Sequence, residues 1–360
     1  MLSNLQVLRG VAAVGVVFFH TGYRLPGDWH TEFFGVATFF VISGFIMCFI
    51  TRDRADNFLS KRLERIVPLY WLCTLALLVV MFGTSLSDTS TWASPLDGRP
   101  GEPLWGYVTR SLTFAPIADK YPILNVGWSL NYEMYFYLLF ALALWINRRM
   151  APLVVIACLI ILNQASGTIC TAPTCHYLSL DDTKFFIAGI VVFYALHYIA
   201  PRAPRRSIVW IGAALIAICY GSQFLGPWWA TSITPGLYTV LATAAPIVIV
   251  ASALLIEYAG CSITWRPLIV LGDASYAIYL THPIVFEVMK ATGGRWPQIP
   301  TPSDSVAVML FYMAVATSLG LLVHLYVENP LLRLIRRKKV ATIRPACVSA
   351  ASSVAVAGMR

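Results

Sequence analysis

Ten apolar stretches, most of them long enough to cross a bilayer, constrain this chain more than any other feature of its sequence. A hydrocarbon core about 30 Å thick is crossed by about 20 apolar residues in helical form. The stretches are 5–24, 33–51, 66–86, 128–147, 151–166, 184–200, 207–223, 237–257, 269–289 and 305–327. The pattern predicts an all-α fold, a polytopic transmembrane helix bundle with about ten spans.

The composition agrees with a membrane protein. Apolar residues make up 58% of the 360 residues and charged residues 12%, and the mean hydropathy is +0.70. A soluble domain is about 45–50% apolar and about 25% charged. The net charge of +9 would favour nucleic acid as the partner of a soluble chain, but basic cytoplasmic loops explain it better here. No nucleic-acid partner is therefore expected.

Basic residues concentrate in the connections that follow even-numbered spans, which predicts that both termini face the cytoplasm, an N-in/C-in topology. These connections and the last residues of the sequence contain Arg52, Arg54, Lys61, Arg62, Arg65, Arg148, Arg149, Arg202, Arg205, Arg206, Arg266, Arg333, Arg336, Arg337, Lys338, Lys339 and Arg344. The amphipathic stretch 104–118 is predicted to be an interfacial helix rather than a span. Residues 336–360 are expected to form a basic and then disordered cytoplasmic tail.

The eight cysteines show no metal-binding spacing such as C-x-x-C, so no metal site is expected. Cys170 and Cys175 lie together in the polar loop CTAPTC, which the predicted topology places on the external side. A small disulfide and two free thiols are both compatible with this position.

Arg9 and His20 are the two ionisable residues of the segment 5–23. Their separation of eleven residues places them within about 20° of each other on one helical face and about 16 Å apart along its axis. Polar groups inside a bilayer usually face a protein-lined or watery interior. Snorkelling to the headgroups would account for Arg9 but not for His20, which lies well inside the stretch. The pair is therefore a candidate site.

A carboxylate lies at a comparable depth in the fourth stretch. Glu133 lies about five residues inside the outer edge of that span, and His20 lies in the outer part of the first span. A carboxylate beside an imidazole would orient the ring and raise its basicity, as a general base requires. In the alternative interpretation, Glu133 is a buried carboxylate paired with a tyrosine or a neighbouring helix. His282 of the ninth stretch has a similar alternative, a histidine that only packs.

Arg62 and Arg65 are three residues apart on the predicted cytoplasmic side, so one helical turn presents both guanidinium groups together. Two such groups on one face suit a phosphate or a pyrophosphate. Ordinary positive-inside charge would give the same pair, and both interpretations stay open.

Taken together, these segments resemble the acyltransferase-3 family of bacterial integral-membrane acyltransferases. The resemblance covers about residues 1–335, which form the expected acyltransferase-3 membrane domain. Its motifs are the pair Arg9 and His20 with ten residues between them, FFVISGF at 39–45, RLERIVPLY at 62–70, WSLNYE at 128–133, SYAIYLTHP at 275–283 and ENP at 328–330. The forms LQVLRGVAAV and VGWSLNYEMYFY are most similar to the branch that acetylates exopolysaccharides, the succinoglycan type.

The resemblance implies an O-acyltransferase of the bacterial inner membrane. It implies transfer of an acyl group, acetyl in this branch, from cytoplasmic acyl-CoA to a hydroxyl of a surface polysaccharide or exopolysaccharide, or of its lipid-linked precursor. Arg62, Arg65 and Arg9 are then expected to bind the CoA donor, and His20, Arg9 and Glu133 to act in catalysis. The acceptor is expected to contact Trp128, Asn131, Tyr132, Tyr279 and His282. The implied partners are acetyl-CoA, a saccharide acceptor, the lipid bilayer and the polysaccharide-synthesis machinery.

Two interpretations from other classes compete with the enzyme. A transporter or flippase of a lipid-linked glycan would also have a polar-lined bundle with basic rims. A structural subunit of a polysaccharide-synthesis complex would have no reason to bind CoA. Loss of acetylation with intact glycan export, on replacement of His20, distinguishes the enzyme from the transporter.

Overall fold

The computed structural model describes residues 2–25, 31, 33–53, 55–85, 104–115, 121–168, 180–199, 205–225, 234–295 and 305–336. The long elements within these ranges are all helices. They are α1 (Ser3–His20), α2 (Gly35–Thr51), α3 (Phe58–Ser85), α4 (Leu104–Thr113), α5 (Gly127–Ile146), α6 (Ala151–Thr168), α7 (Leu180–Ile199), α8 (Arg205–Ser222), α9 (Pro235–Tyr258), α10 (Arg266–Asp273), α11 (Ser275–Arg295) and α12 (Val306–Val323). The prediction of an all-α fold is confirmed.

Several helices are long and apolar enough to cross a membrane. Within the described part of the chain, α3, α5, α9 and the long helix that begins with α12 and continues to Arg336 meet this requirement singly. The helices α10 and α11 meet it together, as a pair bent by 67°. The structure therefore supports four or five spans directly. The count of about ten spans and the N-in/C-in orientation stay predictions.

The first helix is held at its N-terminus by a carboxylate from α9. The first four N–H groups of a helix have no partner within the helix and carry a partial positive charge. Glu257 accepts hydrogen bonds from the N–H groups of Ser3 and Asn4, at 2.6 and 3.0 Å. The side chain of Asn4 also donates to the carbonyl of Cys261 at 2.9 Å. The residues that follow in α1 are thereby fixed against α9 and the connection after it.

Aromatic side chains of α2, α5 and α7 pack together in the core. The rings of Phe136 and Phe186 stack with centroids 4.3 Å apart, and Phe40 lies against Phe186 at 4.6 Å. The helices α2 and α7 touch through their backbones, because a Cβ atom on Gly44 would lie 2.2 Å from the carbonyl oxygen of Phe186. Glycine at 44 is therefore a condition of this packing. The core places α2 beside α5, and the two helices form adjoining walls of the site.

The ninth apolar stretch is two helices rather than one. It breaks at Ala274, between α10 and α11, where the 67° bend occurs. Gly272 near the end of α10 lies directly against α1, since a Cβ atom there would lie 2.0 Å from the carbonyl oxygen of Gln6. The break therefore brings the last residue of α10, Asp273, to the side of α1.

The tenth apolar stretch contains a π-helical turn at His324–Glu328. The Nδ1 atom of His324 lies 2.7 Å from a carboxylate oxygen of Glu328, and both residues are buried. This wider turn joins α12 to the helical residues that continue to Arg336.

The predicted interfacial stretch is helical in its first part, α4, and the Trp105 side chain is 78% exposed there. Its location at a membrane surface stays a prediction. Cys170, Cys175 and the tail from residue 337 lie outside the described residues, so the disulfide and the disordered tail stay predictions as well.

Candidate active site

A cavity of about 300 Å³ lies between α1, α2, α3, α5 and α11. The charged side chains that line it are Arg9, Arg62, Arg65 and Glu133. We call it the arginine cavity. Among its described lining residues the positive groups outnumber the negative one, and apolar residues such as Ile46 form most of the remaining wall. A positive pocket with apolar walls suits an anionic ligand that carries an uncharged arm.

Arg62 and Arg65 enter the cavity from α3, as their spacing predicted. The guanidinium carbon of Arg62 lies 5.9 Å from the centre of the Tyr137 ring, within the range of a cation–π contact. This contact limits the motion of the Arg62 side chain before a ligand binds, because the planar guanidinium group rests on the buried Tyr137 ring. The pair is thus available as a double anchor for phosphate groups.

Arg9 enters the same cavity from α1. Its Nη1 atom donates a hydrogen bond of 3.0 Å to the side-chain oxygen of Gln6, one turn earlier on the helix. Gln6 in turn donates to Asp273 at 2.5 Å. The guanidinium group is therefore held within the protein.

Glu133 lies in the cavity wall with partners different from the expected one. Its carboxylate accepts a 2.9 Å hydrogen bond from the Ser43 hydroxyl and a second from the Tyr137 hydroxyl. No hydrogen bond joins Glu133 to His20, although both residues are described. The expected carboxylate–imidazole pair is corrected here, because equal depth in the bilayer fixes the height of a residue but not the direction in which its helix faces. The tyrosine alternative describes Glu133 better.

His20 pairs instead with His282 of α11. The Nε2 atom of His282 lies 3.3 Å from the Nδ1 atom of His20. Each Nδ1 atom also lies near the carbonyl oxygen one turn earlier, Val16 at 2.9 Å and Ile278 at 3.2 Å. Because carbonyl oxygens only accept, both Nδ1 atoms carry hydrogen in the neutral rings. The one Nδ1 hydrogen of His20 is then shared between the Val16 carbonyl and the more distant Nε2 atom of His282, and the Nε2 atom of His20 is the basic nitrogen.

Tyr279 stands between the arginine cavity and the histidine pair. It lines the cavity, and its ring centre is 6.0 Å from that of His282. Its hydroxyl lies 2.6 Å from the Ser129 hydroxyl and donates to the Val126 carbonyl at 3.0 Å. His20 is not among the residues that line the cavity. Arg9 therefore lies in the cavity, and His20 contacts His282, whose ring lies beside that of the wall residue Tyr279. That Arg9 and His20 face one open passage stays a prediction.

The predicted acceptor-binding residues of α5 lie off the cavity. Trp128, Asn131 and Tyr132 do not line it, whereas Ser129, Glu133 and Tyr137 do. Tyr132 is buried and lies edge-on to Trp128 with ring centres 5.9 Å apart. The Asn131 side chain is also buried, and its amide has no hydrogen-bond partner in the described part of the chain. Of the predicted acceptor residues, the structure brings Tyr279 to the cavity and His282 to His20.

The sequence profile of the acyltransferase-3 family, described as an acyltransferase domain, matches residues 2–325. The chain belongs to this family. With its span-length helices it is a multi-pass membrane protein of the acyltransferase-3 family.

Curated relatives of this acyltransferase-3 protein agree with the assignment. It is 29% identical to the exopolysaccharide production protein ExoZ of Rhizobium meliloti over 336 residues, 90% of this chain and 97% of the relative. It is 29% identical to the acyltransferase MdmB of Streptomyces mycarofaciens over 349 residues, 85% of this chain and 83% of the relative. Identity to the O-acetyltransferase OatA of Staphylococcus aureus is 24%, over 79% of this chain and half of the longer relative. No solved structure matches the chain at a significant level.

Several residues of this acyltransferase-3 site were missed by reasoning from the sequence. Ser129 and Tyr137 lie one turn either side of Glu133, so the helical repeat on α5 offered a signal for both. Gln6 lies one turn before Arg9 and offered the same kind of signal. Ser43 lies within the apolar motif FFVISGF and differs in no obvious way from a packing serine.

Proposed function

We propose that this protein is an O-acyltransferase that moves an acetyl group from cytoplasmic acetyl-CoA to a hydroxyl of an exopolysaccharide or of its lipid-linked precursor. The observation that carries the proposal is the arginine cavity, in which two separate helices contribute three guanidinium groups. A histidine pair lies directly behind one wall of this cavity. The cavity supplies a binding site for a polyanionic donor, and the pair supplies a base.

The donor side of the proposal rests on charge. CoA carries several phosphate charges, and arginine binds phosphate through parallel charge-assisted hydrogen bonds. Arg62 and Arg65 bind the phosphates at the cytoplasmic end of α3. Arg9 stabilises the thioester carbonyl or the negative charge that develops on its oxygen. The apolar wall formed by residues such as Ile46 and Met47 accommodates the uncharged arm of the donor.

The transfer step uses His20 as a general base. Its Nε2 atom takes the proton of the acceptor hydroxyl, and the hydroxyl oxygen forms a bond to the thioester carbonyl carbon. The carbon–sulfur bond then breaks, the ester leaves, and the CoA thiolate takes the proton back from His20. The Val16 carbonyl accepts the Nδ1 hydrogen of His20 and holds the tautomer that this step requires, and His282 Nε2 is a second acceptor that supports the protonated ring. Glu133, anchored by Ser43 and Tyr137, places a negative charge among the cavity arginines.

The acceptor side rests on the relatives. The printed name of ExoZ concerns exopolysaccharide production, and that of OatA is an O-acetyltransferase. The first name supports a saccharide and the second an oxygen as the acceptor, and together they favour a saccharide hydroxyl. A polytopic protein of the bacterial inner membrane with an N-in/C-in topology binds acetyl-CoA from the cytoplasm. Its product passes to the polysaccharide-synthesis machinery on the outer side.

The decisive experiment measures transfer of labelled acetyl from acetyl-CoA to the isolated polysaccharide by purified protein. We expect transfer with the wild type and none with His20→Ala. Mass analysis of the surface polysaccharide from cells that carry His20→Ala should show export at a normal level and no O-acetyl groups. A His20→Ala protein that transfers acetyl at the normal rate contradicts the catalytic assignment. Loss of export together with loss of acetyl groups favours the transporter instead.

A further inference from the structure

We propose that Asp273 and Gln6 form a carboxylate–amide–guanidinium relay that sets the orientation of Arg9 in the arginine cavity. Gln6 lines the cavity beside Arg9, and Asp273 does not. We assign both a positioning role: Asp273 acts through Gln6, and Gln6 acts on Arg9. The inference rests on the proposed function, since it names two positioning residues for the donor site. It concerns how this chain holds the one cavity arginine that lies on α1.

The relay consists of two consecutive hydrogen bonds between three helical positions. The Nε2 atom of Gln6 donates to Asp273 Oδ1 at 2.5 Å, and its Oε1 atom accepts from Arg9 Nη1 at 3.0 Å. Gln6 is only 6% exposed, so water does not compete freely for its amide. Arg9 thus receives its orientation from a residue 267 positions away from Gln6 in the sequence.

The chemistry of the two outer groups fixes the amide between them. A carboxylate accepts hydrogen bonds and a guanidinium only donates them, whereas an amide can turn to present either its oxygen or its nitrogen. Asp273 therefore holds the nitrogen of Gln6 on its own side. The oxygen of Gln6 is then directed to Arg9. Without the carboxylate, the guanidinium alone would hold the amide oxygen, and the N–H group of Gln6 would lose the charged acceptor that ties it to α10.

The backbone packing keeps the relay short. A Cβ atom on Gly272 would lie 2.0 Å from the carbonyl oxygen of Gln6, and one on Gly10 would lie 3.0 Å from the Gly272 nitrogen. Helices α1 and α10 are therefore in backbone contact beside the relay. The short Asp273 side chain reaches Gln6 only because this contact and the break at Ala274 place it there.

A purely structural role is the competing explanation. Asp273 would then tie α10 to α1, and its loss would weaken the fold without a specific effect on Arg9. A reversal of the relay separates the two. In the double variant Gln6→Glu/Asp273→Asn, the asparagine amide donates to the new carboxylate, and that carboxylate accepts from Arg9. The total charge and the number of hydrogen bonds equal those of the wild type.

The experiment compares Asp273→Asn, Gln6→Glu and the double variant with the wild type as full-length protein in detergent. Two readouts are taken: the KM for acetyl-CoA with its kcat, and the rate at which phenylglyoxal modifies Arg9, measured by peptide mass spectrometry with Arg62 as internal reference. We expect Asp273→Asn to raise the KM about tenfold and to change the modification rate of Arg9 severalfold, as for the loss of one charge-assisted contact. The double variant should return both values towards the wild type.

Glu257→Gln is the matched control. It makes the same carboxylate-to-amide change in a group that also holds α1, but at the N-terminus of the helix. It should leave the KM and the Arg9 modification rate at wild-type values. Two results overturn the relay. The first is an Asp273→Asn protein with a wild-type KM and a wild-type rate of Arg9 modification. The second is an effect of Asp273→Asn that Glu257→Gln reproduces and that the double variant does not reverse. If the wild type neither binds CoA nor transfers acetyl, the proposed function fails, and the modification rates still decide the relay.

Discussion

His282 Nε2 lies 3.3 Å from His20 Nδ1, and this contact joins the first helix to the eleventh across 262 residues of sequence. His282 is fully buried, while His20 is half-buried at the end of α1. The His282 ring is therefore shielded from water, whereas part of the His20 ring is exposed. The two rings therefore have different roles in the proposed reaction: His20 is the general base, and His282 is its buried hydrogen-bond partner.

Replacement of His282 tests its role as the partner of His20. His282→Leu leaves the Val16 carbonyl as an acceptor of the His20 Nδ1 hydrogen but removes the second acceptor, His282 Nε2. This second acceptor supports the positive ring that forms when His20 takes the proton, so we expect kcat to fall about tenfold. The KM for acetyl-CoA should stay unchanged, since His282 does not line the arginine cavity. His282→Gln keeps an acceptor at nearly the same place and should retain most of the activity. Equal activity in the leucine and glutamine variants would refute a role for this second acceptor.

Replacement of the α3 arginines tests the donor site. Arg62→Ala or Arg65→Ala should raise the KM for acetyl-CoA about ten- to a hundredfold, because each removes one charge-assisted contact worth about 1.5–3 kcal/mol. Lys61→Ala is the matched control, since Lys61 precedes Arg62 on the same helix, is exposed and does not line the cavity. A steady-state titration with acetyl-CoA gives the values. If Lys61→Ala has the same effect as Arg62→Ala, the arginines only contribute to a general positive surface.

The Tyr137 hydroxyl should stabilise the fold through Glu133. Tyr137→Phe keeps the ring under Arg62 but removes one of the two hydrogen bonds to the half-buried carboxylate of Glu133. We expect a loss of about 1.5–3 kcal/mol in the free energy of unfolding, as for bonds to a charged group. Tyr107→Phe removes a 2.7 Å bond to the neutral carbonyl of Tyr121 and should cost about 0.5–1.5 kcal/mol. Unfolding measured in the same detergent compares them, and a smaller loss for Tyr137→Phe would contradict the prediction.

Replacement by alanine should lower the stability of the protein at Gly44 and raise it at Gly83. A Cβ atom on Gly44 would lie 2.2 Å from the Phe186 carbonyl oxygen, so Gly44→Ala must push α2 away from α7 and lower the melting temperature. Gly83 lies in α3 with nothing within 4 Å of an added Cβ atom. Gly83→Ala should therefore stabilise the protein by about 0.5–1 kcal/mol through helix propensity. A thermal melt of both variants in one detergent measures the pair; destabilisation by both would show that the local space is not the cause.

The sequence alone was sufficient to predict the helices and the positively charged residues of the cavity. Apolar runs reveal the helices because lipid leaves little choice of backbone structure. Arg62 and Arg65 were found together because their spacing is local to one turn. Arg9 was found because a cation is costly in an apolar helix and so stands out.

The partners of these residues could not be predicted from depth and spacing. Glu133 and His20 were expected to pair because both lie in the outer part of their spans, but α5 directs Glu133 towards Ser43 of α2 and Tyr137. The direction in which a helix faces is decided by close contacts such as Gly44 against α7, which leave little trace in a single sequence. For the same reason the sequence did not show that the cavity face of α5 is the stripe through Ser129 and Glu133. Trp128, Asn131 and Tyr132 lie off that stripe, and their assignment to the acceptor stays a prediction.

The contacts of α1 impose an order on biosynthesis. Glu257 binds the first turn of α1 from 254 residues later in the chain, and Gln6 and His20 meet Asp273 and His282 later still. The first helix therefore leaves the ribosome long before the residues that complete its hydrogen bonds. Until α9, α10 and α11 have been made, the amide N–H of Gln6 and the imidazole of His20 lack these partners, and no competent site can exist on a nascent or truncated chain.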